Sequence, residues 1–252
     1  MNFPETDTQQ ALEARTRRDL AACYRMVAYL GWDDLLGTHV SARLPGAPDQ
    51  FLINPYGDLF DEITASRLVK VNLHGEVLAP DHCAINPAGF VVHSAVYLAR
   101  PDVGAVIHLH TLDGVAVSML EEGLLPLNQL AMEIAPDVAF HAYEGFAMRL
   151  DERERLQHDL GNKNLMLMRN HGTLGVGSCV AEAFVRTRAL ERACTIQIRA
   201  LAAGRALHVP SDDVIRSVSM PLDAAAMRAL SENLVWPAIL RKMQRLDPSF
   251  EQ

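Results

Sequence analysis

Val103-Gly104-Ala105-Val106-Ile107-His108-Leu109-His110 is an apolar run that ends in two histidines one residue apart. Its β-branched content and length predict a buried strand over 103–110. Side chains on a strand alternate faces, so His108 and His110 share one face with Cα atoms about 6.5–7 Å apart, and Leu109 turns into the packing layer behind them. Two imidazoles at that separation can converge on one divalent ion, because metal–nitrogen bonds are about 2.0–2.1 Å long. The same spacing also suits two histidines that merely hydrogen-bond at a strand end, and spacing alone leaves both readings open.

Outward from this strand, helical and extended patterns alternate. Helices are expected over 88–99 and 113–121, strands over 138–143 and 165–169, and a charged helix over 151–160. A long helix is expected over 180–203, where Val180, Phe184, Thr187, Leu190, Cys194, Ile198 and Leu201 keep one face largely apolar until Gly204. At the front, a helix over 8–30 precedes strands over 38–44, 51–54 and 69–73, which are separated by Pro45-Gly46 and Pro55-Tyr56-Gly57 turns. From about residue 212 two helical pieces follow, interrupted by Pro221. No repeat or flexible linker divides the chain, so the pattern reads as one α/β domain over 1–252 with helices packed on a sheet.

A third histidine stands out by context. His171 follows the apolar run Leu165-Met166-Leu167-Met168, where the chain leaves a strand for a loop. A strand-end pair joined by a distant third histidine is the arrangement of a three-ligand catalytic metal site, which keeps one coordination position open. His93 falls on a buried helix face with Ala95, Val96 and Ala99, where a satisfied packing role is expected. His74, His82, His158 and His208 read as surface or turn residues.

The 252 residues carry 23 Lys plus Arg against 31 Asp plus Glu, a net charge of −8, which excludes the basic footprint that nucleic-acid or anionic-membrane partners need. No stretch reaches the roughly 18 uninterrupted apolar residues of a membrane span. Residues 1–7 lack the basic and apolar regions of a signal peptide. Cys23, Cys83, Cys179 and Cys194 lie far apart with no C-x-x-C pair, as expected of reduced thiols in a cytoplasmic protein.

Several blocks together resemble the class II aldolase/adducin family, in its adducin-like bacterial branch. The strongest is Asn86-Pro87-Ala88-Gly89-Phe90-Val91-Val92-His93-Ser94-Ala95, followed by Ala99-Arg100-Pro101-Asp102-Val103 and His108-Leu109-His110-Thr111. Asn170-His171-Gly172-Thr173-Leu174, Thr38-His39-Val40-Ser41-Ala42-Arg43-Leu44, Tyr143-Glu144-Gly145 and the tail from Trp236-Pro237-Ala238 to Leu246-Asp247-Pro248-Ser249 add to it. The resemblance spans roughly residues 15 to 250. It implies a three-layer α/β/α single domain on a central, largely antiparallel sheet, with the family core about 15–205 and a C-terminal helical extension over 206–252. It also implies a divalent metal, usually zinc with manganese or iron(II) as alternatives, held by His108, His110 and His171, and a homo-oligomer, a tetramer first, with active sites at subunit boundaries.

The departures matter as much. The sugar-phosphate aldolases carry an acid/base glutamate nineteen residues before the first metal histidine, and Gly89 stands at that position. Pro87 has no N–H to offer a phosphate, and Thr38-His39-Val40-Ser41 replaces the early glycine-rich segment, so an unphosphorylated substrate is expected. Tyr143 resembles the family's catalytic tyrosine, which reaches a neighbouring subunit's site, and a phenol would serve as the proton donor. His39 is the candidate for binding an anionic group of substrate. Glu133, Glu144 and His141 lie near the same boundary, where structural roles are expected of them. The implied function is a metal-dependent, aldolase-type lyase that stabilises an enediolate of a small hydroxy-carbonyl or keto-acid compound. The alternatives are a decarboxylase or non-haem metal oxygenase on the same scaffold, or a non-catalytic adducin-like binding protein.

Overall fold

A computed structural model describes residues 5–219 and 223–252, so the expected break at Pro221 lies outside the described residues. Eight strands form one sheet: β1 (His39–Leu44), β2 (Ala47–Ile53), β3 (Val69–Asn72), β4 (Val77–Ala79), β5 (Ala105–Leu109), β6 (Val138–His141), β7 (Leu165–Met168) and β8 (Gly172–Gly177). Their order is β4-β3-β2-β1-β5-β8-β7-β6, antiparallel throughout except for the β6–β7 pair.

The histidine strand therefore lies at the middle of the sheet, and its alternation sorts the two packing layers. Ala105, Ile107 and Leu109 face one core with α1 (Glu5–Tyr29), α6 (Val180–Ala202) and α9 (Trp236–Leu246). Val106 faces the other, against α2 (Pro87–Ala99) and α5 (Glu152–Leu160). The architecture is the expected three-layer α/β/α domain. Burying a side chain such as Ile107 completely stabilises the fold by about 1.5–3 kcal/mol. A third cluster joins α3 (Leu112–Met119), α4 (Gln129–Ile134) and α6 over Val138, Leu165 and Leu167.

The sequence expectation held no strand at β4 or β8, no helix at α4, and two helical pieces in the tail. β8 is rich in glycine, which weakens any strand signal. The glycines let α6 approach closely: a Cβ on Gly175 would lie 2.1 Å from Thr187 Oγ1, and one on Gly177 2.4 Å from the Ala183 backbone nitrogen. The short α4 has no strong periodicity of its own. The tail holds three α-helices among the described residues, α7 (Asp212–Val218), α8 (Ala224–Leu230) and α9, the last two joined by a π-type turn over Ser231–Val235, and ends in a short 3-10 helix over Pro248–Glu251.

One side chain of α1 fixes the sheet from below. The buried Tyr24 hydroxyl accepts from the N–H groups of Val40 and Asn54, at 3.0 Å each, and donates to the Val40 carbonyl. The four cysteines are free, and among the described residues no helix is long and apolar enough to cross a membrane.

Candidate metal centre

Three segments bring His108, His110 and His171 together. His108 lies on β5, in register with His39 of β1 and Leu174 of β8. His110 lies just beyond the end of that strand. His171 sits in the tight turn from β7 to β8, after Asn170, whose φ of 57° is left-handed and is tolerated by asparagine better than by most residues. The three rings are 4.8 Å apart, centroid to centroid, in every pair. One nitrogen from each lies within 4.8 Å of the other two.

The proton arrangement is informative. His108 Nε2 and His110 Nε2 are 2.9 Å apart. The far nitrogens are already committed: His108 Nδ1 donates to the Thr173 carbonyl at 3.0 Å, and His110 Nδ1 to the Asp34 carboxylate at 3.0 Å. A neutral imidazole has one N–H, so these partners leave lone pairs on both Nε2 atoms, facing each other. Only a positive charge between them relieves that. Burial holds His108 well below the ordinary histidine pKa and, with His110 and His141 adding to it, lowers His171 to about 4, so neither of these two rings takes up a proton readily. A neutral, three-nitrogen donor set with a carbonyl and a carboxylate behind two of its members fits a divalent metal ion.

Glu191 lies beneath the triad, a residue the sequence reading missed. Its buried carboxylate accepts from the hydroxyls of Thr111 and Thr173. Thr111 follows His110 and caps α3, accepting from Gly114 N at 3.0 Å, while Thr173 holds His108. Burial raises the Glu191 carboxyl to about 7. The signal was present in α6, where Thr187, Glu191 and Cys194 continue the inward face at spacings of four and three.

A cavity of about 810 Å³ opens over the triad, lined by Asp34, His39, Asn86, Ala88, Tyr143, Asn170 and their neighbours, with no lysine or arginine among the described lining residues. The His39 ring stacks on His108, centroids 5.0 Å apart, and its Nδ1 lies 2.7 Å from His93 Nε2. Gly89 gives it room, since a Cβ there would lie 2.8 Å from His39 Cδ2. At the start of α2, Asn86 accepts from the N–H groups of Ala88 and Gly89, at 3.0 and 3.4 Å, with Pro87 as the first helical residue. The half-exposed Tyr143 ring is 6.2 Å from His171 of its own chain.

The remaining candidates lie away from the cavity lining. His141 is buried against Asp159 at 2.8 Å and Glu152 at 3.4 Å. Glu144 pairs with Arg155 at 2.6 Å, and Glu133 belongs to α4. His93 has the satisfied role expected of it, bonded to His39 and Ser41.

Known proteins match this chain along most of its length. Residues 18–198 match the family described as Class II Aldolase and Adducin N-terminal domain. A class 2 aldolase-like protein of Caulobacter vibrioides is 49% identical over 243 residues, covering 94% of this chain and 92% of the relative. Alpha-adducin of Mus musculus is 43% identical over 194 residues, 76% of this chain but only 26% of the adducin. L-fuculose 1-phosphate aldolase from Glaciozyma antarctica has a similar structure, with a TM-score of 0.83 at 25% identity, covering 100% of this chain and 96% of the other. The chain belongs to the class II aldolase and adducin family.

Proposed function

We propose that this protein is a metal-dependent, aldolase-type lyase acting on a small, unphosphorylated hydroxy-carbonyl or keto-acid compound. The observation that carries the reading is the pair of Nε2 lone pairs of His108 and His110, 2.9 Å apart and backed by Thr173 and Asp34. With His171 they would hold a divalent ion, zinc first and manganese or iron(II) as alternatives. Such an ion, when bound, supplies positive charge beside an oxygen on which negative charge develops, as in an enediolate.

The chain's own groups supply the rest. Tyr143, at the cavity wall beside His171, is the proton donor to the leaving carbanion or alkoxide. His39 binds substrate oxygen. Gly89 has no side chain with which to exchange a proton. The absence of cationic side chains from the described lining, and the use of the first α2 N–H groups by Asn86, support an unphosphorylated substrate. Leu112 and Phe146, 89% and 86% exposed at the cavity wall, support a homo-oligomer in which a second copy covers them, and the family resemblance puts a tetramer first. The charge of −8 supports a protein with neither nucleic-acid nor anionic-membrane partners, and the four free cysteines fit the cytoplasm.

The test is a panel of hydroxy-keto acids and ketoses incubated with zinc-loaded protein in heavy water and followed by NMR. Chelator-sensitive cleavage or α-proton exchange is expected. No cleavage, epimerisation or exchange overturns the reading, and turnover that requires iron(II) and dioxygen replaces it with an oxygenase. The adducin match favours a second reading, a binding protein, which the same inert outcome would support.

A further inference from the structure

Behind the metal centre four polar side chains stand in single file. Ser41 Oγ lies 2.8 Å from the Tyr97 hydroxyl and bonds His93 Nδ1, and His93 Nε2 lies 2.7 Å from His39 Nδ1. None of the four is more than 2% exposed. The file ends at His39, which lines the cavity and leans on His108.

Counting protons gives the file a direction. Each hydroxyl has one proton and each neutral imidazole one, so four protons serve three bonds. A fifth proton, on either ring, would leave His93 Nδ1 donating to Ser41 and one hydroxyl proton without an acceptor, so the hydrogen bonds themselves require both rings to be neutral. In one direction the phenol donates to Ser41, Ser41 donates to His93 Nδ1, and His93 Nε2–H donates to His39 Nδ1. Every buried group is then satisfied, and the fourth proton sits on His39 Nε2. In the reverse direction His39 Nδ1–H donates to His93, and His93 Nδ1–H to Ser41. The serine and the phenol are then left with two protons and one bond between them. Among the described residues Ser41 is the only acceptor bonded to the Tyr97 hydroxyl, and Ser41 Oγ has no partners except Tyr97 and His93. The reverse direction thus strands a buried hydroxyl proton, which native structures avoid.

We infer that His39 presents a fixed, neutral Nε2–H donor to the cavity, and that it receives a carboxylate or carbonyl oxygen of a substrate chelated at the three histidines. The inference rests on the proposed metal-dependent function for its ligand, but the direction of the file does not. A nitrogen already carrying its proton is a hydrogen-bond donor and no base. The cavity therefore recognises an acceptor oxygen beside the ion, the pattern of a 2-keto or 2-hydroxy acid. Gly89 and His39 make one device: the missing side chain at one position is the space for the imidazole of the other.

Two measurements test this on the full chain. Long-range proton–nitrogen NMR of histidine-labelled protein, with and without zinc, identifies the tautomers. Both His39 and His93 are expected as Nε2–H rings, and an Nδ1–H form of either overturns the inference whether or not metal binds. The second is calorimetric titration of oxalate into zinc-loaded protein. His39→Leu is expected to weaken oxalate by roughly tenfold or more, as for a lost hydrogen bond to a charged group. His39→Gln, whose amide N–H can reach the position of Nε2, is expected to stay within roughly threefold of the wild type. Equal oxalate affinity in His39→Leu, or no oxalate binding by the zinc-loaded wild type, overturns the assignment of the ligand. Failure to take up zinc removes the proposed function instead and leaves the tautomers to decide the direction of the file. They also decide it if His39→Leu does not fold.

Discussion

The Asp34 carboxylate accepts from His110 Nδ1 at 3.0 Å, and so faces the lone pair of His110 Nε2 toward His108. Outer partners of this kind orient a ligating ring and raise its basicity. Asp34→Ala is expected to weaken zinc binding by roughly 10- to 100-fold, measured by competition with a chromophoric chelator. His110→Ala, which removes the donor itself, is expected to abolish stoichiometric zinc with little change in circular dichroism. Unchanged zinc affinity in both variants would sink the metal centre.

Glu191 gives the stability of the fold a pH dependence with a definite sign. Its carboxyl keeps its proton in the folded chain up to about pH 7, whereas the ordinary value is 4.5. Between those values the folded state binds more protons than the unfolded state, so stability falls as pH rises through the window. The full effect is about 3 kcal/mol and is complete above the upper value. Thermal melts from pH 4.5 to 7.5 should fall more steeply for the wild type than for Glu191→Gln. Parallel profiles would show that the carboxyl is not held protonated.

Gly89→Ala places a Cβ 2.8 Å from a ring held on one side by His93 and on the other by His108. Overpacking of this kind costs about 1–3 kcal/mol, readable in urea denaturation. The double variant Gly89→Ala/His39→Ala should lose less than the two single losses added together, because removing the ring removes the clash. Strict additivity would mean that the two positions do not meet.

Tyr143→Phe keeps the ring against His171 and removes only the hydroxyl. With a substrate from the panel, kcat should fall by roughly 100-fold or more with KM little changed, as for loss of a general acid. A change confined to KM would make Tyr143 a binding residue instead.

How far the residues announced this arrangement depends on what each one's surroundings supply. The alternation along 103–110 was enough to set His108 and His110 on one face and Leu109 in the core, because a buried strand leaves its side chains no other choice. His171 is separated from His110 by 61 positions in the chain; its place at a strand end made it a candidate, and the resemblance to a known family tied it to the pair. β8 was hidden because its glycines exist for the sake of α6, a neighbour that local propensity cannot see. Glu191 was hidden inside an otherwise apolar helix face, where its meaning depends on two threonines from other elements. The file behind His39 was equally silent: Ser41, His93 and Tyr97 are ordinary residues until the β1–α2 contact aligns them.

The hydroxyl of Tyr24 reaches the backbone of Val40, the very next residue after His39, from the opposite side of the sheet. The first helix is therefore a keel to the cavity. A proteolytic nick or deletion that strips it away would free the strand that carries His39, and the damage would be felt in the pocket even though none of the lost residues touches it.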